Sequence, residues 1–484
     1  MHDLVSDLAK FISKQFTLSH EDDYSSEILS KTRHFSHSCK NIDIKKFAAT
    51  FHESKRLCTV LKFNFDSSLY RFGIEELGKL TNLRERSLSI LDLQNIGSPM
   101  DGKDVKYLRD RKYLKELVLE WKVGNNTLES HLIVLESLQP LSNLKSLVIN
   151  GYGGKSFPNW VGHPSFSNIA SLHLEDCKFC CSLPPLGQLP SLQDLSIAGL
   201  DRVVRLGCEF YGSESSSIKP FQSLKVISFK NMLNWEKWFS FDVGKEDGAF
   251  PNLRNLEIHE CPKLTCFLKG GLRAPSLEVF RITKCKSLSS LPDKMHIFFS
   301  SLEELYIEYC PEVESFPEGR LPSNLNIIYI SNCEKLFARR MRWDLRNLPS
   351  VKIFEVIGKS EDVESFPDEG LLPTTLTRLH IEGFENLKYL DKKGLQHLTT
   401  LEELKMWNCP KLECMPKDGL PASLTTLNIS NYTVDGLEQL QQEPDGCANP
   451  AADDGVQYTL IVGDYNDVYK MADAYGASYL KDSH

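Results

Sequence analysis

Apolar residues return along this chain at a spacing that neither one long helix nor one long strand would produce. The stretch Leu302–Pro317, LEELYIEYCPEVESFP, sets the pattern: Leu302, Leu305 and Ile307 alternate with polar or aromatic residues, and Cys310, Val313 and Phe316-Pro317 follow. The unit recurs from about residue 88 to about residue 430. Its leading apolar residues are Leu88, Leu114, Leu144, Ile169, Leu192, Leu224, Leu253, Leu277, Leu302, Leu325, Val351, Leu376, Leu401 and Leu424. Alternation across Leu305 and Ile307 predicts a short strand with these side chains in a core and Tyr306 and Glu308 facing out. One such unit cannot close a core, so the units must stack.

Successive gaps run from about 23 to about 32 residues, and the L-x-x-L-x-L-x-x-C order is that of a leucine-rich repeat. A cysteine stands eight residues after the leading position at Cys177, Cys261, Cys285, Cys310, Cys333 and Cys409. A small side chain with a weak thiol donor suits the bend where the strand ends. Proline then follows an apolar residue, as in Phe157-Pro158, Leu183-Pro184, Leu291-Pro292, Phe316-Pro317, Phe366-Pro367 and Met415-Pro416. Proline fixes φ and lacks a donor, so this arc should be extended or 3₁₀. The expected fold class is an α/β repeat solenoid: a horseshoe with a parallel sheet on the concave face and a mostly irregular or 3₁₀ convex side. Polar stretches at Ser213–Lys219, which follows Gly212, and at the Gly-containing Asp242–Gly248 read as inserted loops.

Outside the repeats the pattern changes. Residues 3–16 read as a helix with Leu4, Leu8, Phe11 and Ile12 on one face, and Asp3 can cap it. Residues 17–87 mix β-like runs, Thr32–Ser36 and Leu57–Phe63, with a helix around Ile44–Phe51, and read as a linker with degenerate capping repeats. Residues 88–434 form the solenoid of about 14 units, and residues 435–484 an acidic, partly disordered tail.

Charge sharpens this division. The formal net charge is −9, and residues 435–484 hold ten acids against two lysines, about −8. The near-neutral body gives no electrostatic basis for nucleic acid. No apolar run reaches the roughly 18 residues of a membrane span, and the N-terminus lacks the basic-then-apolar order of a signal peptide. A cytoplasmic location follows, with the 14 cysteines reduced. Cys177, Cys180 and Cys181 imitate a zinc knuckle, but no second Cys or His pair stands at finger spacing, and no metal site is expected. Gly154-Lys155-Ser156 and Gly358-Lys359-Ser360 resemble the end of a phosphate loop, yet Ile149 and Ile353 stand where that loop needs glycine. No paired nucleophile–base motif is present and no catalytic residue is assigned.

The positive functional signal is the sheet's outward face. Its residues are Trp121, His259, Arg281, Tyr306, Glu308, Tyr309, Tyr329, His380, Lys405 and Trp407, with Glu120 and His173 beside them. Aromatic residues and arginine are enriched where proteins bind proteins, and several in one row predict a partner-binding surface.

Two stretches go beyond the generic repeat: GYGGKSFPNWVGHPSFSNIASLHLEDCKFCCSLPPLGQLPSLQDLSIAGLDRVVRLGCEFYG (Gly151–Gly212) and FQSLKVISFKNMLNWEKW (Phe221–Trp238). Both resemble the repeat region of plant coiled-coil nucleotide-binding leucine-rich-repeat disease-resistance proteins. Met1-His2-Asp3, followed by LVSDLAKFIS, resembles the MHD motif that closes the nucleotide-binding module of that family, and SKTRHFSHS and LGKLTNLRE are similar to its linking segments. The resemblance implies a recognition region that binds a pathogen effector or a modified host protein and restrains the receptor's switch through its own nucleotide-binding module. His2 matches the family histidine that helps hold ADP, but the glycine-rich cradle is missing, so this chain is expected to bind no ADP or ATP although full-length relatives do. Family members usually carry several repeats between segments resembling LCTVLKF and LGKLTNL, where about twenty residues stand here. With an unfamiliar tail, this reads as a truncated copy, from the MHD motif through the repeats. Two other readings stay open: part of a nucleotide-driven switch whose upstream sequence is missing, and a substrate receptor of a ubiquitin ligase.

Overall fold

In the computed structural model, residues 87–96, 107–122, 129–212, 219–239, 248–267, 272–317, 320–358, 363–412 and 420–430 are described. To these are added the backbones of the short strands Thr17–Leu18, His34–Phe35, Thr59–Asn64 and Gln457–Thr459. The expected helices at 3–16 and 44–51, the His2 motif and the rest of the tail lie outside the described residues. The chain forms two compact units, residues 1–264 with 268–274, and residues 265–267 with 275–484.

In the first unit the repeat strands are Ser87–Leu91, Glu116–Glu120, Ser146–Asn150, Ser171–Glu175, Asp194–Ala198, Val226–Lys230 and Asn255–His259. They pair in parallel with Leu117, Leu147, Leu172, Leu195, Ile227 and Leu256 in one row. The second unit repeats the arrangement in Val279–Thr283, Glu304–Glu308, Ile327–Ser331, Ile353–Ile357, Arg378–Glu382, Glu403–Trp407 and Thr426–Ser430. There the inward row runs Phe280, Leu305, Ile328, Phe354, Leu379, Leu404 and Leu427. The second and fourth residues of each strand are buried, as in Glu304–Glu308. This is the leucine-rich-repeat fold: every strand contributes two apolar side chains and borrows its neighbours to cover them.

The leading residues keep this register from Leu114 onward. Leu88 does not: it pairs with Leu117, so it holds the second apolar position of its repeat and not the first. At the other end, Gln457–Thr459 pairs in parallel with Thr426–Asn428 and adds a strand to the second unit.

Most repeat strands end in a turn with one residue in the left-handed region. Asp92, Asp176, Asn231, Glu260, Lys284, Tyr309, Asn332 and Asn408 adopt φ between 50° and 57°, and Gly151, Gly199 and Gly383 do so elsewhere. Glycine tolerates this conformation, and Asn and Asp are the next most permissive. The turn N–H still serves the sheet: Asp176 donates to Ala198 O at 2.9 Å and Tyr309 to Ser331 O at 2.8 Å. The repeat cysteine comes next and points inward. Cys333 Sγ donates to Ser331 O at 3.2 Å within its own repeat and to Ile307 O at 3.6 Å in the preceding one. Cys310 does the same with Glu308 O and Ile282 O.

A second stitch lies just before the leading leucine. Asn168, Asn252, Thr375 and Ser423 each donate a side-chain hydrogen bond to a backbone carbonyl of the preceding repeat. On the side away from the sheet the chain is 3₁₀, as at Leu186–Gln188 and Leu345–Asn347, or extended, as where Ser365–Phe366 pairs with Tyr389–Leu390. The short helices Glu129–Ser137, Cys208–Tyr211, Glu334–Ala338 and Lys392–Gln396 interrupt it. Two long successive repeats, led by Leu192 and Leu224, fill their extra volume with aromatic residues. Phe210, Phe221, Phe229, Trp235, Trp238 and Phe250 are buried there, and Trp238 Nε1 donates to Tyr211 Oη at 2.8 Å. The aromatic side chains of the distinctive stretch Phe221–Trp238 are therefore core, while Lys225, Lys230, Leu233 and Lys237 are exposed.

Candidate functional site

The register that buries the leucines also lines up the first, third and fifth residues of each strand on the outward face. In the second unit the third residues read Arg281, Tyr306, Tyr329, Glu355, His380 and Lys405 across six strands. The fifth residues read Thr283, Glu308, Ser331, Ile357, Glu382 and Trp407. Strands stand roughly 4.8 Å apart, so side chains in one row are in contact range.

Contacts along the row are continuous at each end. The Arg281 guanidinium lies 4.2 Å from the Tyr306 ring centroid, a cation–π arrangement. The Tyr306 and Tyr329 rings are 5.7 Å apart, and Tyr306 Oη donates to Glu304 Oε2 at 3.0 Å. Farther along, the His380 ring meets Trp407 edge-on at 4.5 Å. His380 lies between two carboxylates: Nδ1 is 3.6 Å from Glu355 Oε2 and Nε2 is 3.6 Å from Glu382 Oε2. Lys405 is bound to Glu403 Oε1 at 2.9 Å.

This close packing desolvates the charges. Burial pushes the Glu308 carboxyl above its usual value, against the opposing effect of Arg281 and Lys284. Burial also raises Glu382, helped by Glu355 and opposed by His380. Tyr306 is pushed up to about 12 by burial and then by Glu304. Tyr329 is raised by burial and by three carboxylates, Glu308, Glu355 and Glu382.

The ten residues expected on the binding surface divide. Arg281, Tyr306, Glu308, Tyr329, His380, Lys405 and Trp407 fall together on one face of the second unit. His259, a fifth-position residue, stands in the first unit with Nε2 3.5 Å from Glu260. Tyr309 is no strand residue. It occupies the left-handed turn at φ 50° and is 50% exposed at the edge of the face. Trp121 is a correction: it is 1% exposed and packs against Tyr152 at 5.3 Å and His131 at 5.8 Å between ring centroids. Its strand ends at Glu120, so its side chain turns inward. Glu355 and Glu382 belong to the face and were missed. Repeat phase would have found them, because they lie four and six residues after Val351 and Leu376, as Tyr306 and Glu308 do after Leu302.

The motif-like cysteines diverge. Cys177 Sγ donates to Ile149 O and Glu175 O, Cys180 Sγ to Gly154 O at 3.1 Å, and Cys181 is exposed. Among the described residues no group of His, Cys, Asp and Glu is arranged to hold a metal ion. No described helix is long and apolar enough to cross a membrane.

Residues 74–200 match the family of R13L1/DRL21 leucine-rich repeats. A putative disease resistance RPP13-like protein 1 of Arabidopsis thaliana is 31% identical over 317 residues, 63% of this chain and 30% of the relative. The repeats of this chain are similar to those of plant disease-resistance proteins. Disease resistance protein RGA2 of Solanum bulbocastanum is 33% identical over 251 residues, covering 50% of the chain and 25% of that protein. The chain thus spans under a third of the length of these disease-resistance relatives. The solved TLR13–ssRNA13 complex has a TM-score of 0.47 at 16% identity, over 87% of this chain and 61% of that one.

Proposed function

We propose that this chain is the ligand-recognition region of a plant immune receptor, acting by binding and not by catalysis. The ligand is a protein, a pathogen effector or a host protein modified by one. In a receptor that carries a nucleotide-binding module, the repeats also hold that switch at rest. The compartment is the cytoplasm. The observation that carries the reading is the in-register row from Arg281 to Lys405 with Trp407 beside it. There, largely buried but partly accessible aromatic and charged side chains are held on a rigid sheet, and little side-chain entropy is left to lose on binding. A core would be served as well by any small polar residues at these outward positions.

The test is co-purification from pathogen-challenged tissue, comparing wild type with the Tyr306→Ala/Trp407→Ala double variant. A partner retained by wild type and lost at least tenfold by the variant supports the reading. Equal retention of every partner removes this face from the function.

A further inference from the structure

We propose that His131 is an acid-sensitive latch in the first unit: its uncharged imidazole holds the first turn of the helix Glu129–Ser137 against the loop that follows the strand Ser146–Asn150, and protonation releases it. The latch is independent of the docking reading of the second unit.

His131 is 5% exposed. Its Nδ1 accepts from the buried Gly153 N–H at 3.1 Å. An imidazole nitrogen that accepts carries no proton, so the ring is neutral with its proton on Nε2. That Nε2 makes no hydrogen bond, and the rings of Trp121 and Tyr152, 5.8 and 6.4 Å away, close the sides. A second proton would set an N–H on Nδ1 against the Gly153 N–H. The hydrogen bond is lost, a buried backbone donor is orphaned, and a charge stands away from water.

The other end of the helix is tied by groups that do not titrate near neutrality. Trp160 Nε1 donates to Leu135 O at 3.2 Å, and Ser137 O accepts from the Tyr107 N–H at 3.0 Å. Protonation therefore frees the N-terminal turn while the C-terminal end stays as a hinge.

Nothing around the ring offsets an imidazolium. The titratable groups of the surrounding elements are Glu129 and Glu136 on the helix, Glu120 and Lys122 beside Trp121, and Tyr152 and Lys155 on the loop, with Cys177 and Cys180 next to Tyr152. Lys122 pairs with Asp92 at 2.9 Å. Burial raises Tyr152, and the bond with Cys177 and then burial raise Cys180, so both stay neutral. Among the described residues no carboxylate forms an ion pair with His131, and burial moves its pKa downward. As the third residue of its helix, it also meets the positive end of the helix dipole.

The closed form thus binds the proton less readily than the open one, whose histidine titrates at its ordinary value of about 6.5. The latch is at full strength above that pH and weakens as pH falls through it, the opening constant rising by up to about tenfold per pH unit.

The experiment follows hydrogen exchange of the full chain by mass spectrometry at pH 7, 6 and 5, each rate corrected for intrinsic exchange. Peptides covering Glu129–Ser137 and residues 151–157 report the latch, and one covering Glu304–Glu308 serves as reference. His131→Gln keeps an acceptor for the Gly153 N–H but takes up no proton in this range. Expected is a rise of about tenfold in opening of the wild-type helix and loop from pH 7 to pH 5, against less than about twofold in the variant and in the reference. Equal rises in wild type and variant, or no rise in wild type, overturn the latch. If His131→Gln opens the helix already at pH 7, nitrogen NMR of the wild-type ring decides. A neutral ring protonated on Nε2 at pH 7, gaining its second proton as the helix opens, supports the latch. A proton on Nδ1 at pH 7, or an imidazolium within the closed helix, overturns it.

Discussion

Gly151→Ala tests the turn that lets one repeat hand over to the next. Gly151 ends the strand Ser146–Asn150 at φ 69°, and its N–H donates to Glu175 O at 2.9 Å. A Cβ built there would lie 2.0 Å from the Trp121 carbonyl oxygen. Left-handed backbone costs a side chain about 1–2 kcal/mol. Relieving the clash by shifting backbone adds about 1–3 kcal/mol, so the expected total is about 2–5 kcal/mol. Tyr309 stands at the same point of its own repeat, at φ 50°. There Tyr309→Gly removes about 1–2 kcal/mol of backbone cost and adds about 0.5–1 kcal/mol of chain entropy, a net stabilisation of about 0–1.5 kcal/mol. Repeats open locally, so the assay is hydrogen exchange followed on peptides that cover Ser146–Asn150 and Glu304–Glu308. A loss of about 2 kcal/mol speeds exchange roughly thirtyfold where opening is a fast equilibrium ahead of exchange. Unchanged protection of Ser146–Asn150 in Gly151→Ala, with the fold intact, would refute the assignment of this turn.

Other expectations concern the core, the thiols and the titrating row. Leu305→Ala empties a fully buried site between Phe280 and Ile328 and should cost about 3 kcal/mol, read by urea unfolding of the second unit. Trp121→Ala should destabilise the first unit by about 3–5 kcal/mol and leave ligand capture through the second unit unchanged. Native alkylation followed by mass spectrometry should modify the exposed Cys181 and Cys208 first; Cys310, Cys333 and Cys409 are buried with raised pKa values, Cys409 to about 12, and should react only on unfolding. Glu308 and Glu382 have folded pKa values above the unfolded one, so their contribution is fully present below about pH 4.3 and is lost as pH rises through the folded values. Melting temperatures from pH 4 to 7 should therefore fall less steeply in Glu382→Gln than in wild type, and parallel curves would contradict the burial.

Much of this protein can be read from the sequence because a repeat states its structure many times. The spacing of Leu302, Leu305 and Ile307 gives the strand and its buried side, and Cys310 marks the bend, since any stacked parallel sheet needs these residue types in this order. What one unit cannot reveal depends on its neighbours. Leu88 was read one position early because its register is set by pairing with Leu117. Trp121 looked like a face residue, but its strand stops at Glu120, and packing against His131 and Tyr152 draws the ring inward. Tyr309 is placed by a left-handed turn that tyrosine rarely adopts, which the surrounding sheet overrides. Glu355 and Glu382, separated by more than a full repeat in sequence, acquire meaning only when parallel pairing sets them on either side of His380. Periodicity decides which side chains are inside; which outward side chains share a neighbourhood is decided by the stacking of strands.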